Sequence, residues 1–246
     1  MIIHQRPSPN FDQRKTDVSY LVLHYTGMES GAAALERLCD KDAKVSAHYL
    51  VDEDGTLYQL VDENKRAWHA GVAEWAGQTD INSASIGVEI VNGGHNVTLQ
   101  DGSLPPYTDM QINALIVLSK EIMLRQNIMP QNVLGHSDVA PARKIDPGEH
   151  FPWKGLAAAG IGLWPQKKDI DKRVLFDIDS RDRGIAIAQS GLAHIGYGAR
   201  ITGMMDETTV YIIQALQRRY RPEKIDGVID METMDIIKSL TEMYTA

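Results

Sequence analysis

Three stretches of the chain carry residue types that can do chemistry together. The densest is Gly135-His136-Ser137-Asp138-Val139-Ala140-Pro141-Ala142-Arg143-Lys144-Ile145-Asp146-Pro147-Gly148, a polar loop stiffened by two prolines. Polar side chains on a constrained loop are how scaffolds usually present a site, although a solvated turn with incidental charges has the same composition. The second is His24 in Tyr20-Leu21-Val22-Leu23-His24-Tyr25-Thr26. Strand alternation puts Leu21, Leu23 and Tyr25 on one face and Val22 and His24 on the other. The third is Glu89 in Ile86-Gly87-Val88-Glu89-Ile90, opposite the face shared by Ile86, Val88 and Ile90. A carboxylate there sits either on a solvated sheet face or in a buried place that is costly without a purpose.

Two imidazoles, a carboxylate and an open position make a catalytic zinc site, with Zn–N about 2.0–2.1 Å. His24 and His136 can supply the nitrogens, and Asp146, held between Ile145 and Pro147, the oxygen. Asp138 competes for that place, but it lies only two residues from His136 and is better suited to a turn cap or a supporting role. Each histidine taken alone reads equally well as a satisfied polar residue at a strand end. A metal so held lowers the pKa of water to about 7 and polarises a carbonyl. Hydrolysis then needs a base, for which Glu89 is the candidate, and a cation for the oxyanion. Lys144 is the candidate cation, since alternation along an extended segment puts it on the side of Asp146.

The elements that must position these residues are legible in outline. Residues 20–26 and 85–91 are nearly continuous apolar runs, as in strands covered on both faces. A third strand over 132–136 ends at His136. Residues 48–51 and 57–61 flank Asp52-Glu53-Asp54-Gly55, a hairpin signature. A short helix is expected over 32–39. The longest amphipathic helix is expected over 109–127, with Ile112, Leu115, Ile116, Ile122 and Met123 at core spacing and Thr108 as its cap. Residues 1–17, polar and containing Pro7 and Pro9, read as a surface arm. The fold class is α/β: a mixed central β-sheet flanked by helices.

From Trp164 the character changes. Residues 165–173 read as a linker, followed by helices over 181–195, 206–220 and 230–244. Two of these open alike, Asp206-Glu-Thr-Thr209 and Asp230-Met-Glu-Thr233, with the aspartate placed to cap the first turn. This predicts a small C-terminal three-helix domain, with boundaries at 1–165 and 166–246. The alternative is that these helices extend the core of the first domain.

Composition narrows the partners. The chain has 246 residues, 43% hydrophobic and 24% charged, as in an ordinary globular protein. A net charge of -8 argues against nucleic acid as partner, because phosphate binding needs a basic surface. A single cysteine, Cys39, excludes an internal disulfide framework and a cysteine-based metal site. No apolar run approaches the roughly 18 to 20 residues of a membrane helix, and no basic stretch followed by an apolar one opens the chain. The expectation is a soluble protein that stays in the cell, leaves by an unusual route, or has lost its signal.

Leu23-His24-Tyr25-Thr26-Gly27, Ser85-Ile86-Gly87-Val88-Glu89 and the 135–148 loop resemble the zinc-dependent N-acetylmuramoyl-L-alanine amidases of type 2, which share a fold with the peptidoglycan recognition proteins. Val45-Ser46-Ala47-His48-Tyr49-Leu50-Val51 and Ala67-Trp68-His69-Ala70-Gly71 match the same family, and the resemblance covers about residues 15 to 165. It implies that His24, His136 and Asp146 bind one zinc ion (Zn2+), that Glu89 is the general base and acid, and that Lys144 stabilises the transition state. Trp68 and His69 are expected to line the substrate groove, Arg143 to pair with a stem-peptide carboxylate, and His48 to lie in the groove or support it. The tail, with Gly196-Tyr197-Gly198, Gln214-Ala-Leu-Gln217 and Ile225-Asp226-Gly227-Val-Ile-Asp230, resembles a helical peptidoglycan-binding module. The two-domain order is similar to the AmiD-like branch of Gram-negative envelope amidases. The implied activity is hydrolysis of the amide between N-acetylmuramic acid, ordinary or anhydro, and L-alanine of the stem peptide. The implied partners are peptidoglycan or muropeptides, and the implied location is the cell envelope or periplasm, with the cytoplasm as alternative. Two rival functions are a peptidoglycan recognition protein that does not cut and a cytosolic amidase that recycles anhydromuropeptides.

Overall fold

Six strands form one mixed sheet in the order β1-β5-β4-β7-β3-β8 in the computed structural model, which describes residues 2–166 and 173–245. Its centre is β3 (Tyr20–Tyr25), parallel to β7 (Ser85–Ile90) on one side and to β8 (Val133–Gly135) on the other. β4 (Tyr49–Val51) runs parallel to β7 and joins β5 (Leu57–Gln59) in an antiparallel hairpin. The turn closes as its residues predict: Gly55 N–H donates to Asp52 O, with Gly55 at φ 84°, where glycine meets no Cβ clash.

The two faces of the sheet follow the alternation. Leu21, Leu23, Ile86, Val88, Ile90 and Val133 pack under α3 (Asp109–Gln126) through Leu115, Leu118 and Ile122. Thr108 caps α3, accepting from Gln111 N–H at 3.1 Å. The other face carries Val22, His24, Gly87, Glu89 and Leu134. Short α1 (Gly31–Cys39), α2 (Ile81–Ala84), α4 (His136–Val139) and α5 (Trp153–Ala158) fill the connections.

The N-terminal arm is not loose on the surface. β1 (His4–Gln5) pairs with β5 as an edge strand, and β2 (Phe11–Gln13) pairs with β6 (Lys65–Ala67). Between them Asn10, almost fully buried, donates to Asp40 O and Val45 O at 2.7 and 2.9 Å. The arm's polarity therefore serves backbone groups of the core.

The C-terminal unit holds α6 (Arg183–Ile195), α7 (Glu207–Tyr220) and α8 (Met231–Thr245), with β9 (Val174–Phe176) paired to β10 (Ile229–Asp230). Of the expected linker, residues 167–172 lie outside the described residues. The two Asp-x-x-Thr starts form matching caps, Thr209 N–H to Asp206 and Thr233 N–H to Asp230, at 2.8 and 2.9 Å. Each is clamped by a buried glutamine one helix earlier: Gln189 accepts from Thr202 and Gly203 N–H, and Gln217 from Asp226 and Gly227 N–H. This unit does not stand apart. Leu192, Ile213, Leu216 and Tyr197 share one apolar cluster with Val22, Leu134, Val139 and Trp75, so its helices cover the second face of the sheet. Among the described residues no helix is long and apolar enough to cross a membrane.

Candidate functional site

The site lies at the carboxyl ends of the parallel strands, where open α/β sheets usually bind ligands. Register makes His24 the direct neighbour of Glu89 across β3 and β7, and both project from the same face. β8 ends at Gly135, so His136 opens the next turn beside them. Asp146 returns to the same place, and its backbone carbonyl accepts from Ser137 N–H at 2.9 Å.

Three atoms converge. His24 Nδ1 lies 2.9 Å from His136 Nδ1 and 3.1 Å from Asp146 Oδ2, and His136 Nδ1 lies 2.9 Å from that oxygen. All three residues are buried. The outer partners decide which nitrogens carry protons. His136 Nε2 faces Ala70 O at 3.0 Å, and a carbonyl can only accept, so that nitrogen is protonated. Ser85 Oγ gives its proton to Ile81 O and therefore accepts from His69 Nε2. His69 Nδ1 is then an acceptor, and His24 Nε2 donates to it at 3.0 Å. Burial lowers the His24 imidazole to about 4 and His69 well below its usual value, consistent with neutral rings. With the outer nitrogens engaged, both Nδ1 atoms and the carboxylate are left facing one another. Three acceptors at such separations fit a shared cation. Two nitrogens and one oxygen match the donor types found in catalytic zinc sites, and each imidazole has a second partner that orients it.

Glu89 closes the site from the sheet. It is 9% exposed, and its Oε2 has no hydrogen-bond partner. Burial, and then the charge of Asp146, push its carboxyl well above the ordinary range, against the opposing pull of Lys144. Asp146 goes the other way: although burial opposes its charge, the two imidazoles hold it well below the usual carboxylate range. Two neighbouring carboxyls driven apart in this fashion divide naturally into ligand and proton carrier. Lys144 is half-buried and lines the same groove, a space of about 480 Å³ that Met28, Arg37 and Asn96 also border.

Of the expected groove residues, Trp68 and Arg143 lie elsewhere, and His48 takes the supporting place. His48 is fully enclosed behind β7, where its Nδ1 accepts from Gly87 N–H at 2.9 Å and its Nε2 faces Lys65 O. Trp68 lies on the β2–β6 flank, with its indole N–H donating to Asp12 at 2.7 Å. Arg143 is exposed and braces the loop that supplies Ala70 O, donating to Ala70 O and Val72 O, both at 2.7 Å. His69 does border the groove, but as the partner that orients His24. Its ring lies on Gly87, where an added Cβ would come within 2.4 Å of it. A glycine inside a strand signals such an approach, and that was the available clue. Trp75 and Trp153 are core residues, and His95 and His150 are half-buried against Tyr25 and Tyr107.

Comparison with known proteins agrees with this geometry. Residues 14–149 match the N-acetylmuramoyl-L-alanine amidase family, and residues 181–237 match a peptidoglycan binding domain. The chain is 37% identical over 238 residues to N-acetylmuramoyl-L-alanine amidase AmiD of Escherichia coli, covering 92% of this chain and 83% of that protein. The structure of E. coli AmiD with anhydro-N-acetylmuramic acid-L-Ala-D-gamma-Glu-L-Lys superposes with a TM-score of 0.80 at 35% identity, covering 95% and 93% of the two chains. AmpDh3 of Pseudomonas aeruginosa with an anhydromuramic pentapeptide gives 0.77 at 35% identity, covering 92% of each. Sequence match over more than half the chain, a shared fold over nearly all of it and an inward-facing His/His/Asp set lead to one conclusion: the chain belongs to the N-acetylmuramoyl-L-alanine amidase family.

Proposed function

We propose that the protein hydrolyses the amide between the lactyl group of N-acetylmuramic acid, ordinary or anhydro, and L-alanine of the peptidoglycan stem peptide. The observation that carries this reading is the unpartnered Glu89 carboxylate set over the same groove as three converging acceptors. A zinc ion held by His24, His136 and Asp146 would supply a Lewis acid that polarises the scissile carbonyl and acidifies water. Glu89 takes the proton of the attacking water and later delivers it to the alanine nitrogen as the C–N bond breaks. Its raised pKa suits it to holding that proton between the two steps. The ammonium of Lys144, on the groove wall, faces the negative charge that grows on the carbonyl oxygen. Products are a muramic carboxylate and a peptide with a free N-terminal alanine.

In this reading residues 1–165 carry the chemistry and residues 166–246 add a surface for the polymer, which places the work at the cell envelope. Digestion of purified sacculi and of soluble anhydromuropeptides by zinc-loaded protein, beside a chelated control, tests it by mass spectrometry. The expected result is metal-dependent release of peptides that begin with alanine. Tight binding to sacculi without release would identify a recognition protein instead. Release from the soluble substrate alone would favour a recycling enzyme.

A further inference from the structure

We infer that Tyr197 and Arg219, both in the C-terminal helical unit, are positioning residues for the metal site, acting through Asp138 on the turn that begins at His136. The inference rests on the reading of His24, His136 and Asp146 as the metal-holding set. Asp138 is 1% exposed and receives three donors. Gly135 N–H and Arg219 Nη1 reach Oδ2 at 2.8 and 2.6 Å, and the Tyr197 hydroxyl reaches Oδ1 at 2.8 Å. The second arm of Arg219 donates to Val133 O in β8 at 2.9 Å, and its guanidinium lies 3.9 Å above the Trp153 ring. One buried cation therefore grips both the strand that leads into His136 and the turn that follows it.

The same unit also backs the other support of His136. Its Nε2 proton goes to Ala70 O, on the loop that continues through Glu74 and Trp75. Glu74 N–H is bonded to Val139 O at 2.8 Å, Ala76 N–H to Gly196 O at 2.7 Å, and the Trp75 ring packs edge-on against Tyr197 at 4.8 Å. The backbone of His136 and its imidazole acceptor thus both rest on residues 196, 197 and 219. A surface that only docked a glycan would have no need to place a buried arginine and a buried phenol on this carboxylate. A direct hydrogen-bond partner of a ligating side chain typically contributes about 10–100-fold in metal affinity, and Arg219 acts one step further out, through Asp138.

The test is a competitive titration of full-length protein with Zn2+ and with Co2+, reading the visible absorption of the cobalt form. The variants are Arg219→Met, Arg219→Lys and Tyr197→Phe, with His136→Ala as reference. Arg219→Met should bind metal about 10-fold more weakly, the low end of what direct partners of ligands contribute, with an altered cobalt spectrum. Arg219→Lys should recover part of the affinity, because the charge returns but one ammonium cannot reach both Asp138 and Val133 O. Tyr197→Phe, which removes a single hydroxyl, should show a smaller loss in the same direction. Should Arg219→Met fail to fold, Tyr197→Phe decides the matter. Wild-type affinity and an unchanged cobalt spectrum in the folded variants, even with lowered melting temperatures, would overturn the inference. Wild-type protein that binds no metal, or binds it as His136→Ala does, would instead overturn the metal reading beneath it.

Discussion

Glu89 is a buried carboxylate whose Oε2 lacks any hydrogen-bond partner, beside an ionised Asp146. Nothing in the packing rewards that arrangement, and it suits the proton-carrying role proposed for this carboxyl. Glu89→Gln keeps the shape, removes the base and leaves the three acceptors untouched. Turnover should fall by about 10²–10⁴-fold, while zinc content measured on the purified protein stays at the wild-type level. Retained turnover would remove Glu89 from the mechanism. The facing of His24 and Glu89 could be read from alternation alone, since each interrupts an apolar strand on the same side. Their adjacency could not, because it depends on the register that sets His24 opposite Glu89. The roles of His48 and His69 were further out of reach. Each is fixed by a contact across the sheet, to Gly87 N–H and to His24, and local pattern carries no such information.

Strand β7 depends on its neighbours as much as on its own apolar residues. His48 precedes β4 and grips Gly87 twice over: its N–H donates to Gly87 O and its Nδ1 accepts from Gly87 N–H, while its Nε2 reaches Lys65 O at the start of β6. Burial first, then the charge of Arg14, depress this imidazole to about 3, with the Lys65 carbonyl and then Glu63 pulling the other way. Between about pH 3 and the ordinary value near 6.5, the unfolded chain binds a proton at His48 that the folded chain does not. Stability must therefore decline as pH falls through that window, by about 1.4 kcal/mol per pH unit from this residue. Denaturant unfolding of wild type and His48→Asn between pH 6.5 and 4.5 checks it. The variant should start less stable at pH 7 by about 1–3 kcal/mol, yet lose stability less steeply, by one proton. Equal slopes would mean that His48 is already protonated in the fold. Hairpin, α3 and both Asp-x-x-Thr caps were legible because their signals are local. The arm's pairing was not, since an edge strand is defined by the free edge it meets rather than by its own composition.

At the scale of the whole molecule the chain carries two family matches but not two cores. The face of the sheet that carries Val22 and Leu134 is buried by Leu192, Ile213 and Leu216, and the buried Asp138–Arg219 pair crosses the same seam. The change of composition after Trp164 falls between the two family matches, over 14–149 and 181–237. It says nothing about burial across the seam, which follows from which sheet face lacks a cover of its own. A chain ended after Trp164 would expose that face and release Asp138 to water, a loss of about 3–6 kcal/mol from Val22 and Leu134 alone at about 1.5–3 kcal/mol per apolar side chain. At roughly 2–4 °C per kcal/mol for a chain of this size, melting should fall by on the order of 10 °C, with new binding of an apolar dye. Hydrolysis of a small soluble muropeptide should fall along with hydrolysis of sacculi. If the unit were only a tether, the shortened chain would keep the wild-type melting temperature and the wild-type rate on the soluble substrate, losing rate on sacculi alone. Calorimetry together with the two substrate assays separates these outcomes, because a shared core predicts that all three quantities drop.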